Sequence, residues 1–210
     1  MDHRFRLKNL TKFVFPLLIA ITLFFFFYDW QIKKDAFHEA ALYEHFEEAQ
    51  ETESNLIGKR LDDWPLITQD KQTSSVLSML HPTRYTAIIL SSLKACSACR
   101  DQELEIWEDY YAKVANKDIP IVLLIGESDP LDPASVRRIR AGADAIPISF
   151  PWVLDQDSLA LMAMNLTPKQ TPVMLLVDST GLILNAYHPS PISTVRSHRF
   201  VKDFFQIYDH

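Results

Sequence analysis

Residues 85–99 read YTAIILSSLKACSAC, and this stretch decides the fold of the chain. Its first part, residues 85–90, is a short continuous apolar run, which predicts a buried β-strand. Between residues 104 and 114, apolar and aromatic side chains recur at helical spacing, which predicts a long helix with a wide apolar face. The only two cysteines of the sequence, Cys96 and Cys99, therefore lie where a strand passes into a helix.

The spacing of the two cysteines predicts a reactive dithiol. Cys96-Ser97-Ala98-Cys99 is a CxxC motif, and its position places the first sulfur over the N-terminus of the predicted helix. Unpaired backbone N–H groups and the helix dipole stabilise a thiolate there. CxxC motifs also occur in metal sites, so the meaning of this one depends on the fold around it.

The length and composition are those of one ordinary globular domain with additional segments outside it. The chain has 210 residues, of which 48% are hydrophobic and 23% charged, and this length can bury a full core. Its net charge is −6, and residues 31–210 carry 17 basic against 25 acidic side chains, a net charge of −8. This acidic balance argues against nucleic acid as a partner.

The N-terminus has the pattern of a membrane anchor. Residues 13–28 contain no charged side chain, and Trp30 closes the apolar run on its far side. Four basic side chains lie within residues 1–12, so the positive-inside rule predicts that these residues stay in the cytoplasm. We expect a transmembrane anchor at residues 13–30 and residues 31–210 outside the cytoplasm, where disulfides are permitted. A cleaved signal peptide shares the basic start and apolar middle and stays open as an alternative.

The rest of the chain divides into a tether and one α/β domain. Residues 31–55 are acidic with interleaved apolar side chains, which predicts a helical tether, and residues 56–210 form the domain. Its expected order is a β-hairpin, a β-α-β crossover, a second β-hairpin and a helix, which gives a mixed central sheet with helices on both faces. The remaining predicted strands and helices lie at residues 64–68, 73–76, 119–126, 132–142, 150–155, 158–165, 172–178, 182–187 and 195–208.

Between Leu56 and Phe205 the sequence resembles the thioredoxin superfamily, and within it the membrane-anchored TlpA-like thiol-disulfide oxidoreductases. The resemblance rests on the opening segment at residues 57–66, the strand–CxxC–helix unit, FPWVLD at residues 150–155 and TPVMLLVDSTG at residues 171–181. It implies a thioredoxin-like fold, a mixed central sheet flanked by helices, preceded by one N-terminal transmembrane helix. It also implies a single-pass protein of a bacterial inner membrane whose C-terminal domain is periplasmic.

The resemblance assigns the site as well. It implies that Cys96 and Cys99 are catalytic. It further implies that Thr171-Pro172 is a cis peptide beside them. In that geometry the backbone of Thr171 binds an extended substrate segment as an added strand.

Two positions depart from the family pattern. Ala95 stands where an aromatic residue is common, and Leu90 stands where thioredoxins often carry a buried carboxylate. Proton transfer at Cys99 then requires water or another acid.

The expected reaction is thiol–disulfide exchange. Cys96, at the helix start, is the expected nucleophile, and Cys99, one turn further in, resolves the mixed disulfide. We expect the protein to reduce disulfides of extracytoplasmic proteins, to receive electrons from a thiol carrier in the membrane, and to use no cofactor or metal.

Two other functions stay open at the level of sequence. The two cysteines together with His188 could bind Cu(I), as in copper-delivery proteins of the same superfamily. Alternatively, the domain could be a thioredoxin-like binding module with a structural disulfide. A CxxC loop is too short to constrain the unfolded chain strongly, which weakens that second alternative.

Overall fold

Seven strands in the described part of the chain form one mixed sheet in the computed structural model of this protein. The structure describes residues 3–92, 94, 97–113, 119–126, 148–155, 158–189 and 194–206. In chain order the strands are β1 (Pro65–Thr68), β2 (Thr73–Ser75), β3 (Thr86–Ser92), β4 (Ile121–Gly126), β5 (Trp152–Asp155), β6 (Val173–Val177) and β7 (Ile183–Tyr187). Their order across the sheet is β2-β1-β5-β4-β3-β6-β7.

Parallel strands occupy the middle of the sheet and hairpins occupy its two sides. β3, β4 and β5 run parallel to one another, while β1 with β2 and β6 with β7 form antiparallel pairs. The predicted mixed α/β fold with two hairpins is therefore confirmed. β3 is buried along its whole length, which explains why its sequence is a continuous apolar run rather than an alternating one.

Four helices accompany the sheet in the described residues. They are α1 (His3–Leu56), α2 (Ser97–Tyr111), α3 (Leu159–Met164) and α4 (Val195–Gln206), with short 3-10 turns at Leu77–Met79 and Pro168–Gln170. The helix predicted at residues 132–142 lies outside the described residues.

The sheet separates two hydrophobic layers. On one face α2 and α4 pack together, and the ring of Trp107 lies 5.5 Å from that of Phe204 between their centroids. On the other face, the core includes α3 and Leu56 from the last turn of α1. Successive side chains of β3 pack into opposite layers: Ile89 packs into the layer that contains α2, and Leu90 packs into the other.

The chain divides into two compact units, Met1–His45 and Phe46–His210. The second unit begins before residue 56, where the sequence predicted the start of the domain. Ala49, Thr52 and Leu56 of α1 are buried, so the last turns of this helix pack within the second unit.

The first unit is helical, and its described apolar side chains are exposed. From Ile19 to Ile32 the large apolar side chains are 43–66% exposed. Among the described residues, no helix combines the length and apolarity needed to cross a membrane. The side chains of residues 13–18, the first part of the predicted anchor at residues 13–30, lie outside the described part of the chain. The anchor therefore stays a prediction.

Candidate functional site

The parallel strands β3, β4 and β5 end together at one edge of the sheet, and the CxxC motif follows the first of them in the sequence. Ser92, Gly126 and Asp155 are the last residues of β3, β4 and β5, and the strand register places them side by side. α2 begins at Ser97, so the chain turns from β3 into α2 at this edge. The carboxyl ends of parallel strands are where open α/β sheets bind their ligands.

Cys99 lies in the first turn of α2 and is half-buried. The first N–H groups of a helix have no partner within it, and the positive end of the helix dipole lies there. The predicted strand before the motif and the predicted helix after it are both present. Cys96 itself lies outside the described residues, so its position and its role as nucleophile stay predictions.

The peptide bond between Thr171 and Pro172 is cis, as the family resemblance implies. Thr171 is buried, and its hydroxyl accepts a hydrogen bond from the backbone N–H of Ser92 at 3.2 Å. The same hydroxyl donates to the carbonyl of Pro168 at 2.7 Å. Since Val173 pairs with Leu90, Thr171 lies opposite Ser92 at the edge that leads to the cysteines. The substrate-binding role of Thr171 and Pro172 stays a prediction.

A 3-10 turn before the cis peptide holds Thr171 in place. Gln170 closes the turn through its side-chain oxygen, which accepts hydrogen bonds from the backbone N–H and the hydroxyl of Thr167, both at 3.0 Å. Its side-chain NH₂ donates to the hydroxyl of Thr52 in α1 at 3.3 Å. The loop is therefore connected to β3 on one side and to the end of α1 on the other.

Sequence reasoning missed a buried carboxyl group one turn after Cys99. Glu103 is 1% exposed, and its carboxylate accepts a hydrogen bond from the indole N–H of Trp107 at 3.2 Å. It also accepts one from the hydroxyl of Ser197 in α4, which lies 2.8 Å from the hydroxyl of Tyr187. Burial raises the pKa of Glu103 to about 7, against the effect of these hydrogen bonds.

A signal for this burial was present in the sequence. Glu103 stands midway between Cys99 and Trp107 at intervals of four residues, so the three share one stripe of the helix. Glu103 and Trp107 of this stripe contact α4, which the sequence of α2 alone does not show.

His188, the third ligand in the Cu(I) alternative, follows β7 and is buried. Its backbone N–H donates to the carboxylate of Glu53 at 3.0 Å. In the part of the chain that the structure describes, which does not include Cys96, no group of three or more His, Cys, Asp or Glu side chains could hold a metal ion.

Comparison with protein-family models and with curated protein sequences gives no match. The fold matches many solved structures. One is a candidate protein disulfide isomerase from Bacteroides thetaiotaomicron, with a TM-score of 0.54 and 16% identity over 73% of this chain and 91% of that one. Another is a candidate thiol:disulfide interchange protein DsbE from Chlorobium tepidum, with a TM-score of 0.53 and 13% identity over 71% and 96% of the two chains. A third is a thioredoxin-like protein from Porphyromonas gingivalis, with a TM-score of 0.52 and 17% identity over 70% and 90%.

These matches show that the chain has a thioredoxin-like fold. At 13–17% identity they show the fold alone, and one fold can support several reactions. The reaction has to be argued from the cysteine motif and the residues beside it.

Proposed function

We propose that this protein is a TlpA-like thiol-disulfide oxidoreductase that reduces disulfides of partner proteins with the Cys96–Cys99 dithiol. The observation that carries the proposal is the hydrogen bond from the Ser92 N–H to the Thr171 hydroxyl. It holds the Thr171 loop against the end of the strand that leads into the CxxC motif. The position of Cys99 in the first turn of α2 and of Thr171 beside the end of β3 supports a site in which the dithiol acts on a peptide bound by this loop.

The substrate segment pairs with the backbone of Thr171. This residue is extended, with φ −115° and ψ 151°, which is the conformation that strand addition requires. Backbone pairing gives affinity with little dependence on the partner's side chains, so several partner proteins can be substrates.

Reduction proceeds through two exchanges. The Cys96 thiolate attacks one sulfur of the partner disulfide, a mixed disulfide forms, and the partner's other sulfur leaves as a thiolate that takes up a proton. The Cys99 thiolate then attacks the Cys96 sulfur, which releases the partner's second thiolate and leaves a Cys96–Cys99 disulfide. Two electrons pass to the partner, and a dithiol carrier in the membrane returns the two cysteines to the reduced state.

The proposal includes a position for the domain outside the cytoplasm, on a single membrane anchor at residues 13–30. The exposed apolar side chains from Ile19 to Ile32 support it, because a helix that is apolar on all sides is unstable in water without a partner. An oxidising compartment also supplies the disulfides on which the reaction depends.

The reduction potential of the full-length protein tests the reaction and its direction. We expect a reversible two-electron titration with a midpoint at or below roughly −220 mV, the range of reducing dithiols. A midpoint above roughly −180 mV would contradict the reductase and indicate an oxidant or isomerase. Cys96→Ser and Cys99→Ser are the controls, and neither should titrate. If the unsubstituted protein also fails to titrate, the oxidoreductase proposal is wrong.

A further inference from the structure

A polar cavity lies beside the loop that carries the cis peptide. Its volume is about 470 Å³, and its wall includes Glu48, Glu51, Thr52, Asn55, Lys59 and Gln170. The cavity lies within the second compact unit, between the last turns of α1 and the segment that runs from the end of α3 to the 3-10 turn.

The cavity adjoins the loop that carries Thr171. Gln170 lines it and immediately precedes Thr171, and the hydrogen bond from Gln170 to Thr52 joins the loop to the α1 side of the wall. An extended peptide advances about 3.3 Å per residue. A segment paired with Thr171 therefore runs past Gln170, and the side chains next to its paired residues are the ones that enter the cavity.

The charge of the wall is negative. Glu48 and Glu51 are exposed, and within the described residues neither forms an ion pair. Among the described residues that line the wall, Lys59 is the one cation, and its ammonium donates to the carbonyl of Met164 at 3.3 Å. The neighbouring Glu53 differs from both, because Arg196 binds its carboxylate at 2.9 Å. Two carboxylates thus remain available to an incoming side chain.

From this arrangement we infer that the cavity selects polypeptide substrates with a lysine or arginine close to the reacting cysteine. The inference rests on the proposed function and specifies the substrate class of the same site. A basic side chain enters the cavity with its charge near Glu48 and Glu51, while the peptide backbone pairs with Thr171. Because the two carboxylates are exposed, the attraction acts mainly on the rate of encounter and is screened by salt.

The test compares two peptides that differ only in charge. Each carries one cysteine in a mixed disulfide with 2-mercaptoethanol, flanked on both sides by lysine in one peptide and by glutamate in the other. The reduced full-length protein is oxidised to the Cys96–Cys99 disulfide, and each peptide disulfide gives two thiols. At low ionic strength we expect the lysine peptide to react roughly 3- to 10-fold faster, and high ionic strength should bring the ratio close to one.

Variants that change the charge of the cavity wall show whether the preference for the lysine peptide arises there. Glu48→Gln/Glu51→Gln should lose most of the preference, and Glu48→Lys/Glu51→Lys should reverse it. Glu47→Gln/Asp62→Asn removes the same charge from exposed residues outside the cavity wall and should keep the preference. Equal rates for the two peptides with the unsubstituted protein, or a preference unchanged in Glu48→Gln/Glu51→Gln, would overturn the inference.

An uncharged small disulfide separates the two proposals. Bis(2-hydroxyethyl) disulfide cannot use the cavity charge, so the unsubstituted protein and all variants should reduce it at the same rate. If it reacts and the peptides show no charge preference, the cavity inference fails while the oxidoreductase stands. If neither it nor the peptides react, both proposals fail.

Discussion

The carboxyl group of Glu103 is expected to make stability depend on pH near neutrality. Its pKa is about 7 in the folded protein, against 4.5 for an ordinary glutamate side chain, so the folded state binds the proton more tightly. Stability is therefore highest below the unfolded pKa and falls as pH rises towards 7. Glu103→Gln stays neutral at every pH and should reduce the loss of unfolding free energy between pH 5 and pH 8 by about 2.5 kcal/mol. Urea unfolding at several pH values measures this.

The control for this prediction lies on the same helix. Glu105 is exposed, and Glu105→Gln should leave the pH dependence of the unfolding free energy as it is in the unsubstituted protein. If Glu103→Gln behaves like Glu105→Gln, the carboxyl is not protonated on folding near neutral pH and the prediction is wrong.

At the scale of elements, the last turns of α1 are expected to stabilise the domain. Leu56 is fully buried, and Glu53 binds Arg196 and the backbone of His188. A chain that begins at Ile57 loses these contacts and should be less stable than one that begins at Phe46 by about 2–5 kcal/mol, the cost of emptying a buried leucine site. Denaturant unfolding of the two chains checks this, and equal midpoints would show that the helix end is dispensable.

The elements also show where sequence patterns are reliable. Both hairpins and the strand–helix unit around the cysteines follow from apolar runs and turn residues, which are local properties. The sequence predicts the start of the domain at residue 56, whereas the second compact unit begins at Phe46, because acidic residues alternate with the buried Ala49 and Thr52 in this part of α1. A narrow buried stripe on an acidic helix resembles a solvated tether in sequence.

At the scale of the whole molecule, the exposed apolar segment predicts attachment to lipid. The full-length chain should float with phospholipid vesicles in a density gradient, and a chain that begins at Phe46 should remain at the bottom. Phe25→Glu/Phe26→Glu should reduce flotation, since a charged side chain at the centre of a membrane helix costs about 3 kcal/mol. A full-length chain that does not float would contradict the anchor.

The sequence by itself determined the order of the strands and helices that the structure describes, the position of the CxxC motif between a strand and a helix, and the place of Thr171-Pro172 before the last hairpin. These features follow from side-chain periodicity and short motifs, which need only neighbouring residues. Only the tertiary structure decided that the Thr171 hydroxyl binds the Ser92 N–H, that Glu103 is buried against α4, and that α1 forms one wall of a cavity beside the loop. Each of these depends on the packing of elements far apart in the chain, and packing sets burial, strand register and pKa together.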